Sequence, residues 1–150
     1  RGVCEQVKSE LQSAAQQRKQ VFNFDIPPSL NLKANKSSVL TIMRNLVGNA
    51  INYADKKGEI NVGWLIDDQG NGVLYVKDNG KGIAARHLAR LTERFYRVAE
   101  NNVMNKTGTG LGLAIVKHEL ERHEAQLRID STEGKGSCFQ CVFPAERVDQ

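Results

Sequence analysis

The sequence predicts an α+β fold, a two-layer sandwich in which helices cover one face of a mixed five-stranded sheet. Three observations predict it. Periodic segments follow in the order helix, strand, helix, two strands, helix, two strands. The 150 residues suit one domain, a length at which folding buries roughly two-thirds of the unfolded surface. Hydrophobic residues make up 40% and charged residues 25%, which excludes the low-hydrophobicity, high-charge composition of a disordered chain.

Residues 3–18 place Val3, Val7, Leu11, Ala14 and Ala15 at helical spacing, ending in the polar run Gln16-Gln17-Arg18-Lys19. Val21, Phe22, Phe24 and Ile26 read as a strand stopped by Pro27-Pro28, because proline supplies no ladder donor and restricts the residue before it. A second helix is expected from Ser37 or Ser38, either of which could cap it, to about Ala54, with Lys56-Lys57-Gly58 closing it. Residues 60–66 and 72–77 read as strands, joined across Asp67-Asp68-Gln69-Gly70-Asn71 as a hairpin with a long loop. A short helix is expected at 84–91. Residues 92–107 show no sustained periodicity, and a stretch of that length inside a domain is typically a lid or binding loop. A helix over 110–123 and strands over 126–131 and 137–143 complete the chain.

Composition narrows the partners. The net charge of +4 permits attraction to polyanions, yet no basic run interleaved with aromatics appears, so no nucleic-acid partner is expected. No apolar stretch reaches the roughly 18 residues that cross a bilayer, and the N-terminus lacks a signal-peptide plan, so no direct membrane contact is expected of this domain. Three cysteines, an odd number in a chain that needs no staples, point to a reducing compartment, the cytoplasm. Cys138-Phe139-Gln140-Cys141 has CxxC spacing but no second pair, and reads as part of a packed strand.

Three motifs carry chemistry. On the second helix, Val39, Ile42, Met43, Leu46 and Ala50 form the expected buried stripe. Asn45, Asn49 and Asn52 form another, about 110° around at 100° per residue. Asparagine is a poor helix former, so the stack costs propensity. A solvated polar face would be better served by Glu, Lys or Gln. Carboxamide oxygens, by contrast, suit Mg²⁺ shared with substrate phosphates. Asp78-Asn79-Gly80-Lys81-Gly82 follows a strand, where a carboxylate is held rigidly and can accept from an exocyclic amine such as adenine N6, although an ordinary glycine turn would read the same in isolation. Gly108-Thr109-Gly110-Leu111-Gly112-Leu113 opens a helix, whose unpaired amides favour phosphate. It is neither a P-loop, lacking the following Lys-Ser or Lys-Thr, nor a dinucleotide fingerprint, its third glycine coming one residue early.

Taken in order and spacing, these motifs resemble the ATP-binding catalytic domain of sensor histidine kinases, with its Bergerat-type fold, over nearly the whole chain. Asn45-Leu46-Val47-Gly48-Asn49-Ala50 looks like the N box, residues 78–82 the G1 box, Phe95 the F box, residues 108–113 the G2 box, and Gly134-Lys135-Gly136-Ser137 the last glycine motif. Within the family, residues 92–98 and Ala114-Ile115-Val116-Lys117-His118 look most like the phosphate-regulon sensor kinases.

The resemblance implies ATP and Mg²⁺ as ligands. Asn49, helped by Asn45, would hold the metal. Asp78 would accept from the adenine amine, with Tyr53 stacked near the base, and Gly80, Gly82, Ile83, Phe95 and Ser137 would complete the nucleotide site. Arg97 would reach the terminal phosphate, and Gly108, Thr109, Gly110, Leu111 and Gly112 would cradle the phosphates. Asn52 departs from the family pattern, standing where many members place a phosphate-contacting lysine, and is assigned no role. Water-using ATPases of the gyrase and chaperone type carry a glutamate where this chain has Asn45, so activation of water is not supported, whereas a neutral imidazole acceptor needs less help.

None of His87, His118 and His123 has the family's acceptor context, and all three read as surface or packing residues. The resemblance therefore implies an upstream histidine-bearing dimerisation domain, a response regulator receiver domain as the next acceptor, a homodimeric parent, and a cytoplasmic place below a bacterial inner-membrane anchor. A nucleotide-sensing module without transfer activity, or an ATPase of the same fold, is the alternative.

Overall fold

The computed structural model describes residues 9–13, 16, 19–26, 31–53, 58–80, 82 and 112–149. Among them the elements run β1 (Val21–Asp25), β2 (Asn31–Leu32), α1 (Lys36–Tyr53), β3 (Glu59–Ile66), β4 (Gly72–Asp78), α2 (Gly112–Arg122), β5 (Gln126–Thr132), β6 (Gly136–Phe143), a 3-10 turn (Ala145–Arg147) and β7 (Val148–Asp149). Residues 9–13 and 16, inside the expected first helix, are helical. The expected short helix at 84–91 and the lid at 92–107 lie outside the described residues.

The main sheet is five-stranded and mixed, in the order β1-β3-β4-β6-β5. β1 pairs parallel with β3, and the other three pairings are antiparallel. Alternation sorts its side chains: Ile60 and Val62, Leu74 and Val76, and Phe139, Cys141 and Phe143 all join one core with Ile42, Met43 and Leu46 of α1 and Val116 and Leu120 of α2. The opposite face carries the exposed Asn23, Lys77, Arg128 and Asp130. The reading of 137–143 as a packed strand holds. Cys141 is fully buried, and that burial pushes its thiol up to about 12, so it serves as a small apolar side chain. Cys138, three residues earlier and therefore on the other face, is half-buried.

Two expectations are corrected and one element is added. α1 begins two or three residues earlier than a serine cap would allow, because Asn35 caps it: Oδ1 accepts from the backbone N–H of Ser37 at 2.9 Å and of Ser38 at 3.2 Å. The buried stripe of α1 is also wider than expected. Val47 and Ile51 are buried along with Ile42, Met43, Leu46 and Ala50, whereas Val39 is only partly so, because α1 packs against the sheet and α2 together. Finally, β2 and β7 form a separate two-stranded sheet that pairs Leu32 with Val148. Two-residue strands are too short for any periodicity to announce them.

Candidate functional site

One group of expected site residues gathers at an end of the main sheet. Asp78 is the last residue of β4 and is 7% exposed, opposite Ile60 of β3 and Ser137 of β6. Its Oδ1 accepts the N–H of Gly80 at 2.9 Å, so the chain's own turn orients the carboxylate. Asn79 braces that turn from the other side, its Oδ1 accepting the N–H of Glu59 at 2.7 Å while its own N–H reaches the Glu59 carbonyl at 3.3 Å.

Glycines let the backbones meet there. Gly82 has φ +73°, and a Cβ at that position would overlap the Thr132 carbonyl oxygen at 2.1 Å. Gly136 has φ +124°, and its Cβ would meet the Asp78 carbonyl oxygen at 2.2 Å. The Asp78 turn therefore lies directly on the β5–β6 hairpin, with no room for side chains between them. Ser137, buried in that hairpin, has its Oγ 2.7 Å from Ser131 Oγ, and Ser131 donates to the Gly136 carbonyl at 3.0 Å. A cavity of ≈ 600 Å³ at this end is lined by Lys77, Asp78, Ser131, Lys135, Gly136 and Ser137 among others. A second groove of ≈ 530 Å³, lined by Lys117, Leu120, Ala125, Leu127 and Ile129 between α2 and β5, holds none of the expected site residues.

The other group belongs to the helices. Asn45 and Asn49 sit half-buried one turn apart on α1. Asn45 Nδ2 donates to the Thr41 carbonyl at 2.8 Å. A carbonyl can only accept, so this bond fixes the flip of the amide and leaves Oδ1 as the end turned outward. That oxygen lies against the first residue of α2, where a Cβ on Gly112 would come within 2.9 Å of it. The last glycine of the 108–112 run thus reaches the asparagine stripe. The chain leaves α1 at Tyr53 and starts β3 at Glu59, and Glu59 stands at the same sheet end as Asp78. The final turns of α1, with Asn49 and Tyr53, therefore point toward the Asp78 end.

The sheet-end group thus joins Asp78, Gly80, Gly82 and Ser137, and the helix group joins Asn45 and Gly112. Ile83, Phe95, Arg97, Gly108, Thr109, Gly110 and Leu111 lie outside the described residues, as does the Tyr53 side chain. Sequence reading missed Asn79 and Ser131. Asn79 was legible only as the x of Asp-x-Gly, and Ser131 becomes visible only when the strand register sets it beside Ser137. Of the histidines, His118 is exposed and His123 is buried with both ring nitrogens engaged, as surface and packing residues respectively.

Among the described residues no helix is long and apolar enough to cross a membrane, and no group of three or more His, Cys, Asp and Glu could hold a metal ion. The latter leaves open a metal held by carboxamides and phosphate oxygens.

Comparison with known proteins agrees with this geometry. The sequence model of the histidine kinase-, DNA gyrase B- and HSP90-like ATPases matches residues 34–147. The phosphate regulon sensor protein PhoR of Pseudomonas aeruginosa is 44% identical over 95% of this chain, and that of Haemophilus influenzae 43% over 85%. This chain spans only 32% and 30% of their respective lengths. The solved structure of the mycobacterial sensor histidine kinase MprB superposes with a TM-score of 0.80 at 26% identity, covering 95% of this chain and 93% of that one. The catalytic domain of the histidine kinase ThkA, at 20% identity, shares the fold with a TM-score of 0.80 over 96% and 92%. This chain belongs to the histidine kinase-, DNA gyrase B- and HSP90-like ATPase family, on its sensor histidine kinase side and with PhoR-like sequence.

Proposed function

We propose that this domain binds Mg-ATP and transfers the γ-phosphoryl group to a histidine on an upstream dimerisation helix, from which it passes to an aspartate of a response regulator. The observation that carries the transfer reading is Asn45. Where hydrolytic relatives need a carboxylate base, this chain has a carboxamide whose nitrogen is already committed to Thr41 and whose oxygen faces Gly112. Such a group can accept from or coordinate a ligand, but it cannot take a proton from water.

The residues present fit a nucleoside triphosphate with a divalent cation. Asp78, buried and oriented by Gly80, offers an acceptor to the adenine amine, with Ser137 beside it and Tyr53 toward the same end. Asn49 and Asn45 supply neutral oxygens to Mg²⁺, which would neutralise charge on the phosphates as the phosphoryl group leaves. Gly112 and the amides of residues 108–111 cradle the phosphates at the start of α2, and Arg97 reaches the terminal one. Ile83 and Phe95 close the base site. The protein contributes position and charge stabilisation, and the acceptor imidazole is nucleophile enough at neutral pH. In the parent, a homodimer held at the inner membrane, this domain faces the cytoplasm.

Mixing the domain with a separate dimerisation hairpin bearing the acceptor histidine, plus labelled Mg-ATP, should yield phosphohistidine. ATP binding without phosphohistidine would leave a nucleotide-sensing module, and release of phosphate to water by the domain alone would make it an ATPase.

A further inference from the structure

The two helices that carry the candidate site meet at two levels, and the contacts run in antiparallel order. Gly112 at the start of α2 meets Asn45. Just past the end of α2, His123 reaches Asn35, the cap of α1: Nε2 accepts the Asn35 backbone N–H at 3.1 Å, while Nδ1 donates to the Glu119 carbonyl at 2.8 Å. A nitrogen that accepts an N–H carries no proton, and a carbonyl can only accept. The two contacts therefore specify the neutral Nδ1–H tautomer. The ring is 6% exposed.

The cap segment is held on its other side as well. Lys33 donates its N–H to the Arg147 carbonyl at 2.7 Å and accepts from Arg147 Nη1 at 3.0 Å, and Arg147 Nη2 in turn lies 3.4 Å from the carboxylate of Glu124, the residue after His123. Because Asn35 Oδ1 caps the first N–H groups of α1, holding Asn35 sets where the helix starts. Asn45 stands ten residues further, about 15 Å along a rigid axis.

We propose that His123 is a positioning residue for the nucleotide site: by clamping the cap of α1 to the end of α2, it sets the axial register in which Asn45 meets Gly112 at the start of α2. The clamp itself stands on geometry, and its effect on ligand binding rests on the Mg-ATP reading above.

In the full 150-residue chain, ¹⁵N NMR should find His123 with Nδ1 protonated and Nε2 bare; a ring protonated at Nε2 overturns the clamp. Two variants then separate position from packing. His123→Leu fills space without an acceptor, whereas His123→Gln can place its carboxamide oxygen where Nε2 stood. At temperatures where both are folded, the leucine variant should shift the Asn45 side-chain amide resonances and weaken Mg-ATP binding about tenfold, and the glutamine variant should restore both to within about twofold. Unmoved Asn45 resonances in a folded leucine variant overturn the clamp, whatever the nucleotide does. Shifted resonances in a chain whose native form fails to bind Mg-ATP uphold the clamp and overturn the nucleotide reading alone. If the leucine variant does not fold, the tautomer measurement decides.

Discussion

The two halves of the candidate site are built differently. At the sheet end, backbone lies on backbone: Gly82 on Thr132 and Gly136 on Asp78, each in a left-handed conformation with a carbonyl oxygen where a side chain would begin. Between the helices, among the described residues, side chains make the contacts, through Asn45 to Gly112 and His123 to Asn35. A backbone contact has no way to give, whereas a carboxamide or imidazole can swing. The sheet end should therefore lose stability on substitution, and the helix pair should lose function while staying folded.

The sharpest break is at Gly136. Gly136→Ala combines positive φ with a backbone overlap and should cost about 2–4 kcal/mol in thermal or denaturant unfolding. Gly134 supplies the control, since its φ is +86° with nothing within 4 Å, so Gly134→Ala should lose only about 1 kcal/mol. Equal losses at the two positions would remove the backbone contact as the cause.

On the helix side, Asn49→Ala should leave folding nearly intact and abolish the magnesium dependence of nucleotide binding. A titration with near-normal magnesium dependence would take Asn49 out of the metal role. A milder break is Gly112→Ala. Its new methyl meets a movable carboxamide, so melting should hold steady or rise while Mg-ATP affinity falls roughly threefold to tenfold as Asn45 Oδ1 is displaced. Unchanged affinity would separate Asn45 from the ligand.

The smallest effect is a pH dependence. The Ser38 hydroxyl holds the Glu119 carboxyl below its ordinary 4.5, opposed by burial and assisted by Arg122. A carboxyl depressed in the folded state adds stability that is complete above that ordinary value and is lost as pH falls through the lower folded one. Ser38→Ala should therefore flatten the decline in melting temperature from about pH 5 to 3, and an unaltered slope would remove Ser38 as the cause.

Most of the fold was legible because it rests on local pattern. Alternation over 59–66, 72–78 and 136–143 marks strands buried on one face, and the 3.6-residue period marks both helices. What escaped depends on residues far apart in sequence. Asn35 is as good a cap as serine, and its backbone N–H is bonded to His123, 88 residues away, a contact no local motif encodes. The β2–β7 pair owes its existence to the C-terminal turn folding back on Lys33. At the site, residue types such as Asp78 and the glycines could be read directly. Their supports, Asn79 and Ser131, act through strand register, which a sequence does not display.

The parallel pairing of β1 with β3 bears on the order of folding. Val21 finds Glu59 only across the whole of α1, whereas β3 meets β4, and β5 meets β6, through short turns. Closing the longer loop sacrifices more chain entropy before any ladder bond rewards it. The two hairpins are thus the natural early structures and β1 the late one. The asparagine helix is the crossover between β1 and β3, so its docking on the sheet face is what brings β1 alongside β3.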